Sequence, residues 1–236
     1  MPIFQFDGKL VYYAHIPKTA GTTIGKLLCK AGAKQHFVAS LAHRAPKRTR
    51  FVSLPPQHIT TEHFDALFDA SGFAGVFAFS RHPEDRMISE YRFRYVRGGI
   101  HPKLSFADWV EFTVAAYDHF PYMLEGHILP QHQFLIPGTK IFKLEEGFDR
   151  FFEWAGEVLG VDIRQNGVVE RYNASSDCEV HLTRESRVLI NTFYQRDFEA
   201  LGYAPRDSSD LPSDRAASVK KPFLKSLGGI YARARR

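Results

Sequence analysis

Residues Ala74 to Ser80 (AGVFAFS) carry no charge and a single polar side chain, the pattern of a strand buried on both faces of a sheet. Such a strand needs helices on either side, and the rest of the chain offers them in alternation with further strands. Leu10 to Ala14 (LVYYA) is a short β-branched and aromatic run that stops at His15-Ile16-Pro17, and a helical pattern follows from about Gly21 to Lys30. Arg50 to Leu54 predicts a second strand, followed by a helix opening at Thr61 with an early glutamate, Glu62. Pro83 suits the first turn of a helix running to about Val96, and Ser105 suits the cap of one carrying Phe106, Trp109, Val110 and Phe112. Lys140 to Leu144 predicts another strand, and Glu146 to Leu159 and Thr183 to Leu201 predict the last two helices. The expectation is an α/β chain: a three-layer fold over residues 1–204, with a central parallel sheet flanked by helices, then a polar and finally basic tail over 205–236.

At 236 residues and 44% hydrophobic content the chain is long enough to bury a core without metal or disulfide staples. Cys29 and Cys178 stand far apart and outside any C-x-x-C pair, so neither a zinc knuckle nor a disulfide framework is expected. The formal charge of +5 is misleading about partners. Seven bases and no acid lie from Arg215 onward, and removing them from the 31 leaves 24 against 26 acids over residues 1–214. The predicted domain is therefore not globally basic, no specific nucleic-acid partner is expected, and any cationic site must be local. The tail, with a short apolar patch at Pro222-Phe-Leu-Lys-Ser-Leu227, can touch acidic surfaces or a membrane. The opening residues lack the charged and apolar regions of a secretory signal, and no apolar run reaches the roughly 18 residues of a membrane span. The expected location is cytoplasmic, with peripheral membrane association left open.

Two segments carry chemistry. The first, His15-Ile-Pro-Lys-Thr-Ala-Gly-Thr-Thr23, joins a predicted strand to a predicted helix. Backbone N–H groups and the positive end of the helix dipole point outward from such a loop, which suits an anion. Lys18 adds a full charge, Thr19, Thr22 and Thr23 add hydroxyls, and Gly21 permits close backbone approach. In the nucleotide-triphosphate P-loop the lysine directly follows the second glycine, whereas Lys18 precedes Gly21 by three residues. A Walker-type site also needs an acid beyond a neighbouring apolar strand to hold magnesium, and here Ser80 is followed by Arg81. The second segment is therefore Arg81-His82-Pro83 with Ser89 eight residues beyond Arg81, a guanidinium suited to two-pronged phosphate binding at a strand's end. Glu84, Asp85, Arg86, Glu90, Arg92 and Arg94 read as a solvated helical face.

Together these segments resemble the PAPS-dependent sulfotransferase superfamily, in particular the carbohydrate branch, sulfotransferase family 2, that includes the heparan sulfate 2-O-sulfotransferases. PAPS is 3′-phosphoadenosine 5′-phosphosulfate, and its product is PAP. The resemblance implies a P-loop-like fold in which Pro17, Lys18, Thr19, Ala20, Gly21, Thr22 and Thr23 hold the 5′-phosphosulfate, and Arg81 and Ser89 hold the 3′-phosphate. It also implies that Arg171 and Ser175 lie in a loop over the cofactor. Weaker similarity at His127-Ile-Leu-Pro-Gln131, Lys140 to Glu146 and Tyr194 to Tyr203 extends the match over about residues 10–204. The reaction implied is in-line transfer of a sulfuryl group to a saccharide hydroxyl, for which no metal is required, with Lys18 opposite the departing phosphate.

Such a reaction needs a general base. His58, in Pro55-Pro-Gln-His-Ile-Thr60, follows the predicted second strand at the end of the sheet where the other site residues gather. The segment also resembles the G-H-[VI]-[ST] stretch of the heparan sulfate enzymes, with Gln57 in the glycine's place. His63, His15 and Glu62 are the alternatives. His127 and His132, five apart, do not share a helical face as metal ligands and read as groove or surface residues. Two competing functions stay open at this stage: a nucleotide kinase, and a non-catalytic protein binding anions or lipids.

Overall fold

The computed structural model describes residues 2–37, 54–97, 104–166 and 178–213. They divide into two compact units, one of residues 1–82 and 124–174, the other of residues 83–123 and 175–236. The predicted strand at Arg50–Leu54, the loop with Arg171 and Ser175, and the tail from 214 onward lie outside the described residues or reach only their edge.

The first unit is built on five strands: β1 (Ile3–Phe6), β2 (Lys9–Tyr13), β3 (Lys34–His36), β4 (Gly75–Ser80) and β5 (Lys140–Lys143), in the order β3-β1-β2-β4-β5. β2, β4 and β5 are mutually parallel, as the apolar β4 requires, and β4 pairs residue by residue from Phe77 with Lys140 to Ser80 with Lys143. β1 runs the other way, antiparallel to both β2 and β3, so the sheet is mixed rather than wholly parallel. Its turn is Asp7-Gly8, both left-handed at φ 41° and 81°, the geometry of a two-residue hairpin.

Helices α1 (Gly21–Lys30) and α5 (Asp149–Leu159) cover one face. There Tyr13, Phe77, Phe79 and Phe142 pack with Ile24, Leu27 and Leu28 of α1 and Phe151, Ala155 and Leu159 of α5. On the opposite face Tyr12 stacks on Phe64 of α2 (Thr61–Leu67), ring centroids 4.6 Å apart. That is the expected layering, helix on sheet on helix. The phenylalanines are used as core: Phe77, Phe79, Phe142, Phe151 and Trp154 form one web of ring contacts.

The second unit is helical: α3 (Pro83–Val96), α4 (Phe106–Tyr117), α6 (Arg184–Phe193) and α7 (Gln195–Leu201), with α3, α4 and α6 packed on one another. Ser105 caps α4 by accepting the Asp108 N–H, and Thr183 and Ser186 cap α6 reciprocally. The single helix expected over Thr183–Leu201 is two, parted at Tyr194, whose ring is buried and lies under the Arg86 guanidinium. The solvated face expected for α3 is also corrected. Glu84, Arg86 and Glu90 are buried, and Glu84, 1% exposed, accepts from Arg187 at 2.6 Å and from Arg206 at 2.7 Å. Arg206 grips Asp85 as well, at 2.7 Å, so residues just past the expected domain boundary are tied into α3. No described helix is long and apolar enough to cross a membrane.

Candidate functional site

The loop between β2 and α1 takes its shape from alternating backbone hands. Lys18 and Ala20 are left-handed (φ 71° and 67°) while Thr19 between them is not, an arrangement that gathers successive N–H groups on one side as an anion cradle. Ala20 is the N-cap of α1 and has no side chain with which to cap it, and the first turn of α1 holds no acid to repel an incoming anion. Pro17 and Thr23 are buried, Lys18, Ala20 and Gly21 are half-buried, and Thr22 is exposed. Thr19 is fully buried and donates its hydroxyl to the Ile16 carbonyl at 2.7 Å. Its side chain therefore fastens the loop instead of facing a ligand, and what Thr19 can offer an anion is its backbone N–H.

Gly21 is where the loop and His15 meet. A Cβ at Gly21 would fall 1.8 Å from His15 Nε2, so only glycine allows this helix start to lie against the ring. The other ring nitrogen, Nδ1, is sealed from solvent with no hydrogen-bond partner, although part of the residue stays accessible. Burial, then the positive charge of the amino terminus and that of His127, push the His15 pKa down to about 3. His15 is a neutral wall of the site whose Nδ1 is sealed and whose Nε2 edge lies against Gly21.

His58 ends a short 3-10 turn, Pro56–His58, and is 5% exposed. Its ring meets those of His15 at 5.1 Å and His127 at 4.7 Å, edge to face, which lines three imidazoles in a row. Burial, then the proximity of His127 and His15, hold the His58 pKa well below its ordinary 6.5. Its Nδ1 lies 3.1 Å from the Glu125 carbonyl oxygen. A carbonyl can only accept, so Nδ1 carries the proton, and the neutral ring keeps its lone pair on Nε2. The carbonyl is delivered by three successive left-handed residues, Leu124, Glu125 and Gly126 (φ 55°, 61° and 76°). At Gly126 a Cβ would meet Leu54 at 2.5 Å. Of the other candidates, His63 is tied by Nδ1 to the Thr60 hydroxyl at 2.7 Å, and Glu62 is exposed on α2.

Arg81 is the residue immediately after β4, as expected. Gln131 takes both of its backbone polar groups, and the next N–H, of His82, donates to Glu145 Oε1 at 2.7 Å. Lys18, His15, His58, His127, Arg81 and Gln131 all belong to the first unit. Ser89 sits half-buried on α3 of the second, and Arg171 and Ser175 are outside the described residues. Residue-type patterns pointed to Lys18, His58 and Arg81 but not to the groups that orient them. Glu125 acts through its backbone, for which Gly126 in a loop was the sole signal, and Gln131 acts from fifty residues away. Among the described residues no group of three or more His, Cys, Asp or Glu side chains is arranged to hold a metal ion.

The sulfotransferase family profile matches residues 2–204. No curated protein and no solved structure matches the chain.

Proposed function

Because the chain belongs to the sulfotransferase family, we propose that it moves a sulfuryl group from PAPS to a hydroxyl of a carbohydrate acceptor, with Lys18 facing the departing phosphate and His58 as general base. The observation that carries this reading is the state of His58. It is buried and neutral, and its proton is fixed on Nδ1 by the Glu125 carbonyl, so Nε2 is the basic atom. A base in a fixed tautomer needs no reorganisation before it accepts a proton.

The loop from Pro17 to Thr23 fits the anionic end of such a donor, with left-handed Lys18 and Ala20, an acid-free helix start and a lysine in one short stretch. When bound, PAPS supplies a sulfuryl group already activated by its anhydride link to phosphate. Lys18 and the loop N–H groups stabilise the negative charge that grows on the phosphate side as the sulfur–oxygen bond breaks. His58 Nε2 takes the acceptor's proton as the new bond forms on the opposite side of sulfur. Arg81 holds the 3′-phosphate, and the parts given to Ser89, Arg171 and Ser175 rest on the sequence resemblance. The saccharide class of acceptor rests on that resemblance too.

Thermal unfolding with PAP, AMP, ADP and ATP, each with and without magnesium, tests the reading. PAP at about 100 times its Kd adds roughly 2.7 kcal/mol of stability, and the expected result is a shift with PAP that is independent of magnesium. A shift with magnesium-ATP and none with PAP would replace the reading with a kinase. No shift with any nucleotide would leave a non-catalytic anion binder.

A further inference from the structure

Arg81 stands where the strand ladder stops. The last β4–β5 pair is Ser80 with Lys143, so the N–H and C=O of the next residue have no strand to bond to. A backbone in that position needs other partners, and its side chain is aimed only as well as its main chain is held. Here one side chain does the work of the missing strand. The Arg81 N–H donates to Gln131 Oε1 at 3.1 Å, and Gln131 Nε2 donates to the Arg81 carbonyl at 2.7 Å.

The chemistry of this pairing is narrow. A carboxamide offers an acceptor and a donor side by side, as a peptide group does, whereas an ionised carboxylate only accepts and a thioether does neither usefully. Gln131 has no exposed surface, so water cannot replace either bond if the amide is lost. Pro130 (φ −51°, ψ 138°) precedes it, and the 3-10 turn Gln131–Phe134 begins at Gln131 itself, which anchors the amide at its backbone end. One residue further along, the Glu145 carboxylate takes the His82 N–H, so two consecutive peptide groups beyond β4 are bonded by side chains from sequence-distant segments. This investment falls on the arginine that ends the apolar strand. Guanidinium–phosphate bonding is two-pronged and planar, and so depends on direction more than a lysine contact does.

We propose that Gln131 is the positioning residue that sets this protein's preference for a 3′-phosphorylated nucleotide, by fixing the main chain of Arg81 and with it the direction of the guanidinium. The proposal rests on the reading of Arg81 as the 3′-phosphate contact. Gln131 does not touch the nucleotide. It acts through its two bonds to the Arg81 main chain, and their loss is felt by ligands that carry the 3′-phosphate.

PAP and AMP differ by that phosphate, so the ratio of their affinities isolates it. Calorimetric titration of the full chain with each nucleotide is run on the unaltered protein, Arg81→Ala, Gln131→Glu and Gln131→Met. The glutamate variant keeps the shape and removes the donor, and the methionine variant keeps the volume and removes both bonds. The unaltered protein favours PAP, Arg81→Ala erases the preference, and each Gln131 variant lowers the PAP-to-AMP ratio by about tenfold or more with AMP affinity unchanged. An unaltered ratio in both Gln131 variants, beside a collapsed one in Arg81→Ala, would overturn the proposal. So would PAP and AMP affinities that fall together, since that marks a general structural role. A protein that never favours PAP, or an Arg81→Ala variant that still does, would defeat the reading of Arg81 itself.

Discussion

The two units differ in what stands beside their buried ionisable side chains. In the sheet unit, His15 and His58 are sunk without any acid to pair with, and both are held neutral by that burial. The hydroxyl of Tyr12 and the Nδ1 of His15 are sealed with no hydrogen-bond partner. In the helical unit, buried charge is matched by charge: Glu84 is clasped by Arg187 and Arg206, and Arg94 closes on Glu90 at 2.6 Å. A region that keeps titratable groups buried and uncharged gives up stability to hold a chosen protonation state, while paired buried charges such as Glu84 with Arg187 favour a single packing. By this measure the residues proposed as base and lysine lie in the unit that buries histidines uncharged, and the Glu84 cluster of the second unit is architecture.

The contrast can be broken at either end. In the sheet unit, His58→Ala is expected to lower the transfer rate by about 100- to 10,000-fold and to leave PAP binding intact, as read by initial rates beside a binding titration. Lys18→Ala is expected to cost about 100- to 1,000-fold with an unchanged melting temperature. In the helical unit, Glu84→Ala strips Arg187 of its carboxylate and is expected to destabilise by about 3 kcal/mol in denaturant titration. A Glu84→Ala protein as stable as its parent would remove the architectural reading of that unit.

Acid sharpens the comparison. Because His15 and His58 bind protons in the unfolded chain from pH 6.5 downward but not in the native fold, the unfolded state holds more protons below that pH. Stability from this source is complete above pH 6.5 and is lost as the pH falls, at about 1.4 kcal/mol per unit for each histidine, until His15 itself titrates near pH 3. With His58 as the base, its depressed pKa is expected to keep the transfer rate flat through pH 6.5, and a rate that halves there would show a base of ordinary basicity instead. The smallest effect belongs to a helix start: Thr183→Ala removes one side of the α6 capping box and is expected to cost about 1 kcal/mol, with no change in rate.

What could be read from the sequence was what neighbours along the chain decide. The limits of α1, α3 and α4 followed from Gly21, Pro83 and Ser105 at their starts, and the apolar β4 announced a parallel centre. β1 was legible through the Asp7-Gly8 turn but is overlooked when the first strand is begun at Leu10. β3 is three residues of Lys, Gln and His with no apolar signal, and it exists because β1 offers an edge to pair with. The burial of Glu84 was hidden, since its partners Arg187 and Arg206 lie more than a hundred residues away. In the site, Lys18 and Arg81 were marked by position beside a strand end. Gln131 and the Glu125 carbonyl were not, because an amide that imitates a strand and a carbonyl turned by three left-handed residues leave no residue-type pattern behind.

The contact between Gly21 and His15 has a consequence for how this sequence can change. With the Cβ position of residue 21 lying 1.8 Å from an imidazole nitrogen, any side chain at position 21 forces the His15 ring out of its place. The ring must shrink first, or the two must change together. In a saturation library the column for Gly21 should stand empty beside His15, and refill only in the half of a paired library where position 15 has become small.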